Sequence, residues 1–382
     1  MSDFNSTRIA WLVPTAWFYW QPFLSEFTKL FPQTKVFTGR WPGFARGFED
    51  SLSVEVVGQQ QIIAMTKVEE GYGSNFTYLS PNIVGHLLKF RPRLIFSSSF
   101  GVWTILALFF KFLGGWKVII AYEGSAPSVD YRNSALRLAL RRAMVRFADG
   151  CISNSQAGKN YLIEILRSPA EKTFAHPYEV PDAESLLDNT EATGVDFSGW
   201  KRPIFLFVGS IIPRKGLSRL LQACVQLKQQ GLHDYTVLVV GDGTQRQELE
   251  AYANEHQLND CVQWIGRVEY TRLGDYFRNA DIFVLPTLED TWGLVVLEAT
   301  IFGKPVLCST GAGTAELIDD GENGYCFDPR QPNRLADLMG QFIQNPDKIA
   351  VMGKQAQQRM AQYTPKAAAD FLERVTQRTL KR

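Results

Sequence analysis

Short apolar runs alternate with longer amphipathic segments along the first half of the chain. RIAWLV at 8–13 precedes a helical pattern in QPFLSEFTKLF, and KVFTG at 35–39 begins the next apolar run. LIFSSS, VIIAY and GCISNS continue the series. This alternation predicts parallel strands joined by helices, because a parallel neighbour is reached only through a crossover segment.

The same alternation restarts after a polar stretch. DAESLLDNTEATGVDFSGW at 182–200 has no clear hydrophobic period and is the best candidate for an interdomain linker. PIFLFVG, YTVLVVG, DIFVLP and PVLCS then predict a second series of strands. We therefore predict two Rossmann-like α/β domains, 1–195 and 200–363, each with a parallel sheet. The final helical segment, 364–382, is expected to pack back on the first domain.

Composition narrows the functional classes without naming one. A chain of 382 residues exceeds the usual size of a single core, and 45% apolar with 21% charged residues is ordinary for a folded protein. Forty basic and 39 acidic residues give a net charge of +1, which argues against nucleic acid as a partner. Five cysteines without a close pair argue against disulfides and zinc. Because residues 1–20 also lack the pattern of a secretory signal, a cytoplasmic location is expected.

The most apolar stretch, Phe100–Trp116, is nearly long enough to cross a membrane. Lys111 interrupts it, Gly114 and Gly115 end it, and it stands between two strand-like runs. This context favours a buried crossover helix of a parallel sheet over a membrane span.

A basic segment with helical spacing follows at 131–148. It contains five arginines, several apolar residues and no acidic residue. Two interpretations remain open. In one, the helix 132–146 rests on an anionic membrane surface. In the other, its apolar side packs on the sheet while the arginines face water or an anionic acceptor.

Two segments of the second half have modest signals for ligand binding. A predicted strand ends at Gly209, and Arg214-Lys215-Gly216 lead into a helix. Adjacent cations near exposed backbone N–H groups suit a diphosphate, although an Arg-Lys pair by itself is more typical of a solvated loop. Gly241-Asp242-Gly243 allows a tight turn before Thr244, and taken alone it indicates only a turn.

The segment PTLEDTWGLVVLEATIFGKPVL is the most informative. Glu289 and Asp290 occupy the loop after a strand, and Gly293 and Leu294 open a helix that presents Glu298. The N–H groups at a helix start donate hydrogen bonds and carboxylates accept them, a combination suited to sugar hydroxyls. The two loop acids are equally compatible with helix capping. Glu298 lies in the apolar run LVVLEA, where an unpaired carboxylate is costly.

These three segments, in this order and continued by GTAELIDDGENGYCFDP, resemble the retaining glycosyltransferases of group 1, or family 4. The resemblance covers about 203–329 and thins in the first half to the run ADGCISNSQAGKNYL. It implies a GT-B fold, in which two Rossmann-like domains with parallel sheets face each other across a cleft. It further implies sugar transfer from a nucleoside diphosphate donor to a glycan or lipid-linked acceptor, with retention of configuration and without a metal or other cofactor.

The resemblance implies a role for particular residues. Lys215 matches the lysine that contacts the donor diphosphate, and Glu298 matches the glutamate that binds the ribose diol. Together with Asp290 they form the expected catalytic set. The other donor-binding positions, which surround the phosphates, the nucleobase and the sugar, are Gly209, Ser210, Arg214, Arg267, Val268, Glu289, Gly293 and Leu294.

Two positions depart from the family pattern. Asp290 stands where the first glutamate of a pair separated by seven residues is usual, with Glu289 beside it as a substitute. Ser210 stands where an arginine usually follows the strand glycine, and Arg214 is the nearby cation that can take over its charge. These departures keep a catalytically degenerate partner protein open as an alternative, beside a sugar-nucleotide epimerase of the same architecture.

On the acceptor side, Glu123 follows a predicted strand in AYEGSAPSVD, where many relatives place a histidine. It is the candidate acceptor-side residue, and a carboxylate that caps the next element is the alternative interpretation. The resemblance also points to synthesis of a cell-surface polysaccharide or glycolipid, in the cytoplasm or at the inner face of the membrane.

Overall fold

The structure is a computed structural model that describes residues 6–66, 71–72, 74–188 and 191–381. Within these residues the chain forms two compact units. The first unit holds the described residues up to 66, those from 74 to 182 and those from 363 onward. The second holds residues 71–72 and the described residues from 183 to 362.

The secondary structure alternates between strands and helices. In chain order the strands are β1 (Ile9–Thr15), β2 (Thr34–Arg40), β3 (Val54–Val56), β4 (Gln61–Thr66), β5 (Ser74–Tyr78), β6 (Leu94–Ser98), β7 (Lys117–Tyr122), β8 (Gly150–Ser153), β9 (Thr173–Ala175), β10 (Ile204–Val208), β11 (Thr236–Val240), β12 (Val262–Gly266), β13 (Ile282–Leu285), β14 (Val306–Ser309) and β15 (Gly324–Phe327). The α-helices are α1 (Gln21–Leu30), α2 (Ile83–Phe90), α3 (Val102–Phe109), α4 (Lys111–Gly114), α5 (Pro127–Asp130), α6 (Ala135–Phe147), α7 (Gln156–Asn160), α8 (Ala183–Asp188), α9 (Leu217–Gln229), α10 (Arg246–Glu255), α11 (Tyr270–Asn279), α12 (Val295–Ile301), α13 (Pro332–Gln344), α14 (Asp347–Met360) and α15 (Pro365–Lys381).

The first unit is built on a parallel sheet with the strand order β3-β2-β1-β6-β7-β8-β9. β1 pairs with β2 on one side and with β6 on the other. Its side chains from Ile9 to Val13 are buried, as expected of a central strand covered on both faces. The indole of Trp11 stacks on Phe96, with ring centroids 4.4 Å apart. The predicted parallel α/β architecture is confirmed for this unit.

The last helix of the chain, α15, belongs to the first unit. It packs against α1, and the ring centroid of Phe371 lies 5.1 Å from that of His176. Phe371, Leu372 and Val375 are buried in this contact region. Apolar burial therefore holds the end of the chain on the first sheet's unit.

The apolar stretch Phe100–Trp116 forms α3 and α4, between the adjacent parallel strands β6 and β7. It is a crossover segment, as predicted. In the described part of the chain, no helix has the length and apolar character needed to cross a membrane. Burial is limited to one side, however, since Trp103 and Ala107 are buried while Phe109 and Phe112 are 75% and 79% exposed. The expectation of a buried helix is wrong for this outer face.

The basic segment 131–148 forms a turn followed by α6. Arg141 is buried and donates hydrogen bonds to backbone and tyrosine oxygens of its own unit, and Arg132 pairs with Asp130 at 2.8 Å. These two arginines have structural partners. The interpretation in which the apolar side packs on the sheet is confirmed for Leu138 and Val145, which pack in the core of the unit, and fails for Leu136, which is 83% exposed.

The second unit has a parallel sheet with the strand order β12-β11-β10-β13-β14-β15. Successive side chains of a strand point to opposite faces, and the two faces have separate apolar clusters. Phe205 and Phe207 pack with residues of α9 and α13, whereas Ile204 and Leu206 pack with residues of α11 and α12. The second predicted series of parallel strands is confirmed.

Residues 183–188 and 191–200 contact α11 of the second unit. Thr193 Oγ1 donates to Asp275 Oδ2 at 2.7 Å, and the ring of Phe197 meets that of Tyr276 edge-on, with centroids 5.9 Å apart. The polar segment predicted from composition is therefore anchored by a few side chains. Because only a few separate side chains make these contacts, the segment shows no regular spacing of hydrophobic residues.

Two helical glycines of the second unit differ in what a β-carbon would meet. At Gly353 in α14 it would overlap the Gly303 carbonyl oxygen, whereas at Gly340 in α13 it would lie 3.4 and 3.7 Å from the Leu232 and Leu227 side chains. We expect G353A to lower the free energy of unfolding by about 2 kcal/mol, because backbone must move. G340A should raise it by up to about 1 kcal/mol through helix propensity. Urea unfolding measures both changes, and equal losses in the two variants would contradict this packing.

Candidate active site

The loops with candidate chemistry follow neighbouring strands of the second unit. The cationic turn follows β10, the Gly241–Gly243 turn follows β11, Arg267 follows β12, and the loop with Asp290 follows β13. These strands are parallel and adjacent, so the four loops meet at one edge of the sheet. Ligands of open parallel sheets bind at this carboxyl edge.

The turn after β10 is fastened to the loop after β13 through the backbone. Gly216 has a φ of +66°, and a β-carbon there would overlap the Pro286 carbonyl oxygen. The Leu288 N–H and the Thr287 hydroxyl donate to the Arg214 carbonyl oxygen at 2.8 and 2.9 Å. Glycine is required at position 216 both by its backbone conformation and by this close approach.

Side-chain charges join the same two loops. Lys215 Nζ forms an ion pair with Asp290 Oδ2, and Arg214 Nη1 lies 3.9 Å from that oxygen and donates to the Glu289 carbonyl at 2.8 Å. Burial raises the pKa of the Asp290 carboxyl, but the charges of Lys215 and Arg214 outweigh it and hold the pKa below its usual value. Four residues predicted from the sequence therefore lie together: Arg214, Lys215, Glu289 and Asp290.

Tyr72, which the sequence analysis missed, completes this charged group. It belongs to the second unit, and the Arg214 guanidinium lies 3.8 Å from its ring centroid. The Tyr72 hydroxyl donates to Asp290 Oδ1 at 3.4 Å and accepts from the Thr291 N–H at 3.3 Å. Burial, followed by the Asp290 charge, raises the pKa of Tyr72 to about 12. Local sequence patterns could not reveal this residue, because it stands 218 positions from Asp290.

An open cavity of about 710 Å³ lies at the same edge of the sheet. The Gly241-Asp242-Gly243 turn forms part of its wall. Gly241 has a φ of +145°, and a β-carbon there would overlap the Gly209 carbonyl oxygen. These glycines therefore do more than reverse the chain, because they let the loops after β10 and β11 touch. The predicted residues that line the cavity are Gly209, Ser210, Arg267 and Val268.

Glu298 lies in α12 and is 5% exposed. The hydroxyl of Tyr270, at the start of α11, donates to Glu298 Oε1 at 2.9 Å. Burial raises the pKa of the Glu298 carboxyl to about 7, and the Tyr270 hydrogen bond opposes that rise. Tyr270 is the partner that a carboxylate in an apolar helix requires. Sequence reasoning missed it, since a tyrosine at a helix start has no distinctive pattern.

Gly293 and Leu294 connect the acidic loop to α12. Gly293 has a φ of +89°, and a β-carbon there would come within 3.0 Å of Thr314 Oγ1. Leu294 precedes the first turn of α12, and its carbonyl accepts from the Glu298 N–H at 3.2 Å. The backbone at these two positions therefore sets where α12 begins and where Glu298 lies.

The two carboxylates of this region have opposite surroundings. Asp290 is held by Lys215 and Arg214, whereas Glu298 is held by the neutral hydroxyl of Tyr270. Among the residues that the structure describes, no group of three or more histidine, cysteine, aspartate and glutamate side chains is placed to hold a metal ion.

The acceptor-side candidate, Glu123, lies in the first unit directly after β7. Glu179 is 4% exposed, and burial followed by the Glu123 charge raises the pKa of its carboxyl well above the usual value. Asn154 Oδ1 accepts from the Tyr178 and Glu179 N–H groups, both at 2.9 Å. The N-cap position of the next helix, α5, is occupied by Ala126 and not by Glu123. Glu179, missed from the sequence, extends the candidate to a pair of carboxylates.

The chain has two α/β units with parallel sheets, and successive loops of the second unit meet at one candidate ligand-binding edge. This architecture is that of the GT-B fold. Solved structures share this fold. Anabaena HepE in complex with UDP matches over 97% of this chain and 100% of that chain, with a TM-score of 0.75 and 19% sequence identity. The same protein in complex with UDP-glucose matches over 98% of this chain and 100% of that chain, with a TM-score of 0.70 and 18% identity.

Residues 195–359 match the family described as glycosyl transferases group 1, and this range contains every predicted donor-binding residue. D-inositol 3-phosphate glycosyltransferase 2 of Catenulispora acidiphila is 30% identical over 183 residues, which are 45% of this chain and 43% of that protein. Alpha-D-kanosaminyltransferase of Streptomyces kanamyceticus is 28% identical over 239 residues, 60% of this chain and 61% of that protein. The chain thus spans about half the length of these curated relatives. Together the matches show that the second unit is similar to the group 1 glycosyltransferases.

The raised pKa of Glu298 predicts how stability depends on pH. Because this pKa rises from 4.5 to about 7 on folding, the folded protein holds the proton more tightly, and the free energy of unfolding falls as the pH increases through that interval. Glutamine in E298Q does not titrate. Between about pH 5 and about pH 8 we expect E298Q to gain roughly 2–3 kcal/mol of stability relative to the wild type.

Urea unfolding at the two pH values measures this difference. E255Q, a change on exposed Glu255 at the end of α10, is the matched control and should track the wild type. A wild type and an E298Q variant whose stabilities change in parallel with pH would contradict the raised pKa.

Proposed function

We propose that the protein is a glycosyltransferase that moves a sugar from a nucleoside diphosphate to a hydroxyl group of a glycan or lipid-linked acceptor, with retention of anomeric configuration. One observation carries the proposal. The cations Arg214 and Lys215 lie at the carboxyl edge of the second sheet, on the loop system that also forms the cavity wall at Gly209 and Ser210. This edge falls within the range that matches the group 1 family.

Lys215 and Arg214 are the proposed ligands of the donor diphosphate. In the structure Lys215 is neutralised by Asp290. A diphosphate carries more negative charge than one carboxylate, so it competes effectively for the same cations. Its binding releases Asp290 to accept a hydrogen bond from a sugar hydroxyl. Arg214 supplies the positive charge that Ser210 cannot.

The proposed reaction breaks the bond between the anomeric carbon and a phosphate oxygen of the donor. The acceptor oxygen forms its new bond to that carbon on the same face of the ring, and the departing diphosphate takes the acceptor's proton. Negative charge grows on the diphosphate as its bond breaks. Lys215 and Arg214 stabilise this charge in the proposal, without a metal ion, so catalysis rests on positioning and electrostatics.

Glu298 is the proposed acceptor of hydrogen bonds from the ribose diol. This role requires the ionised carboxylate, because a carboxylate accepts hydrogen bonds through both oxygens. The Tyr270 hydroxyl favours the ionised form and orients Oε1. Arg267 and Val268 are proposed to lie beside the nucleobase, and the backbone of 293–294 beside the sugar and phosphate. UDP, which Anabaena HepE binds, is the first nucleotide to test.

Glu123 in the first unit is the proposed acceptor-side residue, with Glu179 as its neighbour. The reaction is proposed to serve the synthesis of a cell-surface polysaccharide or glycolipid at the cytoplasmic face of a membrane. Residues 132–146, which include most of α6, are the proposed membrane contact, since Leu136 and Leu140 are exposed there beside exposed arginines.

A catalytically degenerate partner protein is the second candidate, and the departures at Ser210 and Asp290 favour it. Such a protein binds a nucleotide sugar without turning it over, or binds none. A sugar-nucleotide epimerase on the same fold differs in its product, which is a free isomerised nucleotide sugar instead of a sugar attached to an acceptor.

Two substitutions test the assigned roles. We expect K215A and E298A each to lower sugar transfer at least ~100-fold, because they remove the diphosphate cation and the ribose acceptor. K215A should also weaken nucleoside diphosphate binding by roughly 10- to 100-fold. A thermal-shift panel of nucleoside diphosphates and nucleotide sugars first selects the donor, since a ligand of the folded state raises its melting temperature. Calorimetry and a transfer assay with a labelled donor then measure both effects.

K354A and E255A, on the exposed sides of α14 and α10, are the matched controls and should retain full binding and transfer. Circular dichroism establishes that every variant is folded. Full transfer by both K215A and E298A would refute the site, and a wild type that binds no member of the panel would refute the proposed function.

A further inference from the structure

The outer face of α6 is apolar and exposed. Leu136, Leu140, Ala143 and Phe147 follow one another at spacings of four, three and four residues, which places them on one side of a helix. Leu136, Leu140 and Phe147 are 83%, 48% and 56% exposed. Met144 and Val145, on the inner side of α6, are buried against the unit. The helix therefore has two apolar faces, and its own sheet covers only one of them.

The neighbouring crossover segment repeats this arrangement. Ile105, Phe109, Phe112 and Leu113 share the outer side of α3 and α4, and all four are exposed. Phe112 and Leu113 are 79% and 71% exposed. The inner side, with Trp103, is buried in the core of the unit.

The two exposed faces adjoin each other. α3 packs against α6, and Lys111 Nζ donates to the carbonyl oxygen of Phe147 at 3.0 Å, at the end of α6. The exposed apolar side chains of both segments thus lie on adjoining elements, and we name them together the α3–α6 patch. Soluble proteins rarely leave a contiguous apolar surface of this kind in water unless it binds a partner.

Positive charge adjoins the α3–α6 patch. Arg142 and Arg146 are exposed on α6, and the sequence from 131 to 148 contains no acidic residue. The chain as a whole has a net charge of only +1, so this charge is a local feature. Lys111 contributes less, because it pairs with Asp149 at 2.8 Å.

We propose that the α3–α6 patch binds the surface of a membrane that contains anionic lipids. Apolar side chains at the level of the acyl chains, with guanidinium groups among lipid phosphates, are the combination that holds a helix in a bilayer interface. An apolar protein partner would account for the aromatic residues but not for the arginines beside them. The inference rests on the proposed function and deepens it. It names the surface at which the enzyme meets a lipid-linked acceptor.

Flotation with vesicles tests the proposal. The wild type should float with vesicles of phosphatidylcholine and phosphatidylglycerol, and much less with phosphatidylcholine alone. F112S/L113S should lower the bound fraction at least ~10-fold, because it removes two of the inserted side chains. R142Q/R146Q should lower binding to the anionic vesicles by roughly 10- to 30-fold, at about a fivefold loss per arginine, and should lose the preference for anionic lipid.

Control variants exchange exposed side chains elsewhere on the protein. V351S replaces an apolar residue that is 61% exposed on α14, and R330Q/R334Q replaces two exposed arginines of the second unit. Both should float like the wild type. A wild type that stays unbound with anionic vesicles, or patch variants that float as well as the controls do, would overturn the proposal.

Sedimentation without vesicles tests the alternative occupant of this surface, which is a second copy of the chain. A dimer that is lost in F112S/L113S, together with no vesicle binding, would assign the patch to a second copy of the chain and overturn the proposal. Vesicle binding needs no nucleotide, so its outcome is independent of the proposed function. A protein that floats but binds no nucleotide would refute the transferase and keep the membrane surface.

Discussion

The ion pair between Lys215 and Asp290 is the interaction on which the candidate site depends. It ties the turn after β10 to the loop after β13, where the backbones at Gly216 and Pro286 already touch. Asp290 is 7% exposed, so the loss of Lys215 would leave a buried carboxylate with only the more distant Arg214 to compensate its charge. The same cations are the proposed ligands of the donor diphosphate. Before a ligand arrives, the free protein therefore keeps them neutralised and in position, with Tyr72 packed on Arg214 as a further support.

The neighbouring carboxylates Asp290 and Glu298 differ because their surroundings differ. Two cations keep the pKa of Asp290 low despite its burial, whereas Glu298 has only the Tyr270 hydroxyl and its pKa rises to about 7. Asp290 is thus a stable anion that fixes a loop. Glu298 is an acid near its titration point, and additional hydroxyl donors would favour its ionised form. A ribose diol supplies such donors, which links the electrostatics of α12 to the proposed ligand.

The parts of the structure that are local in sequence were the predictable ones. Buried parallel strands leave continuous apolar runs between turn residues, so PIFLFVG and DIFVLP identified β10 and β13. The resemblance grouped Lys215 with Asp290, and the parallel strands β10 and β13 bring the loops of both residues to one edge of the sheet. The roles of Tyr72 and Tyr270 were not predictable, because tyrosine is also common on surfaces where it has no such role. The residues that these two tyrosines contact are also distant in sequence. The exposure of Phe109 and Phe112 was missed for a related reason, since an apolar run does not reveal which of its faces is covered.

The central claim is that the carboxyl edge of the second unit binds a nucleoside diphosphate, with Glu298 on its ribose. Calorimetric titration of the wild type and E298Q with the best-bound nucleoside diphosphate and with its 2′-deoxy counterpart tests this claim most directly. The wild type should bind the ribose form roughly 10- to 100-fold more tightly, as expected for a hydrogen bond to a charged group. E298Q should bind both forms weakly and about equally. The account would be contradicted by a wild type that does not distinguish the two ligands, or by an E298Q variant that keeps the full preference.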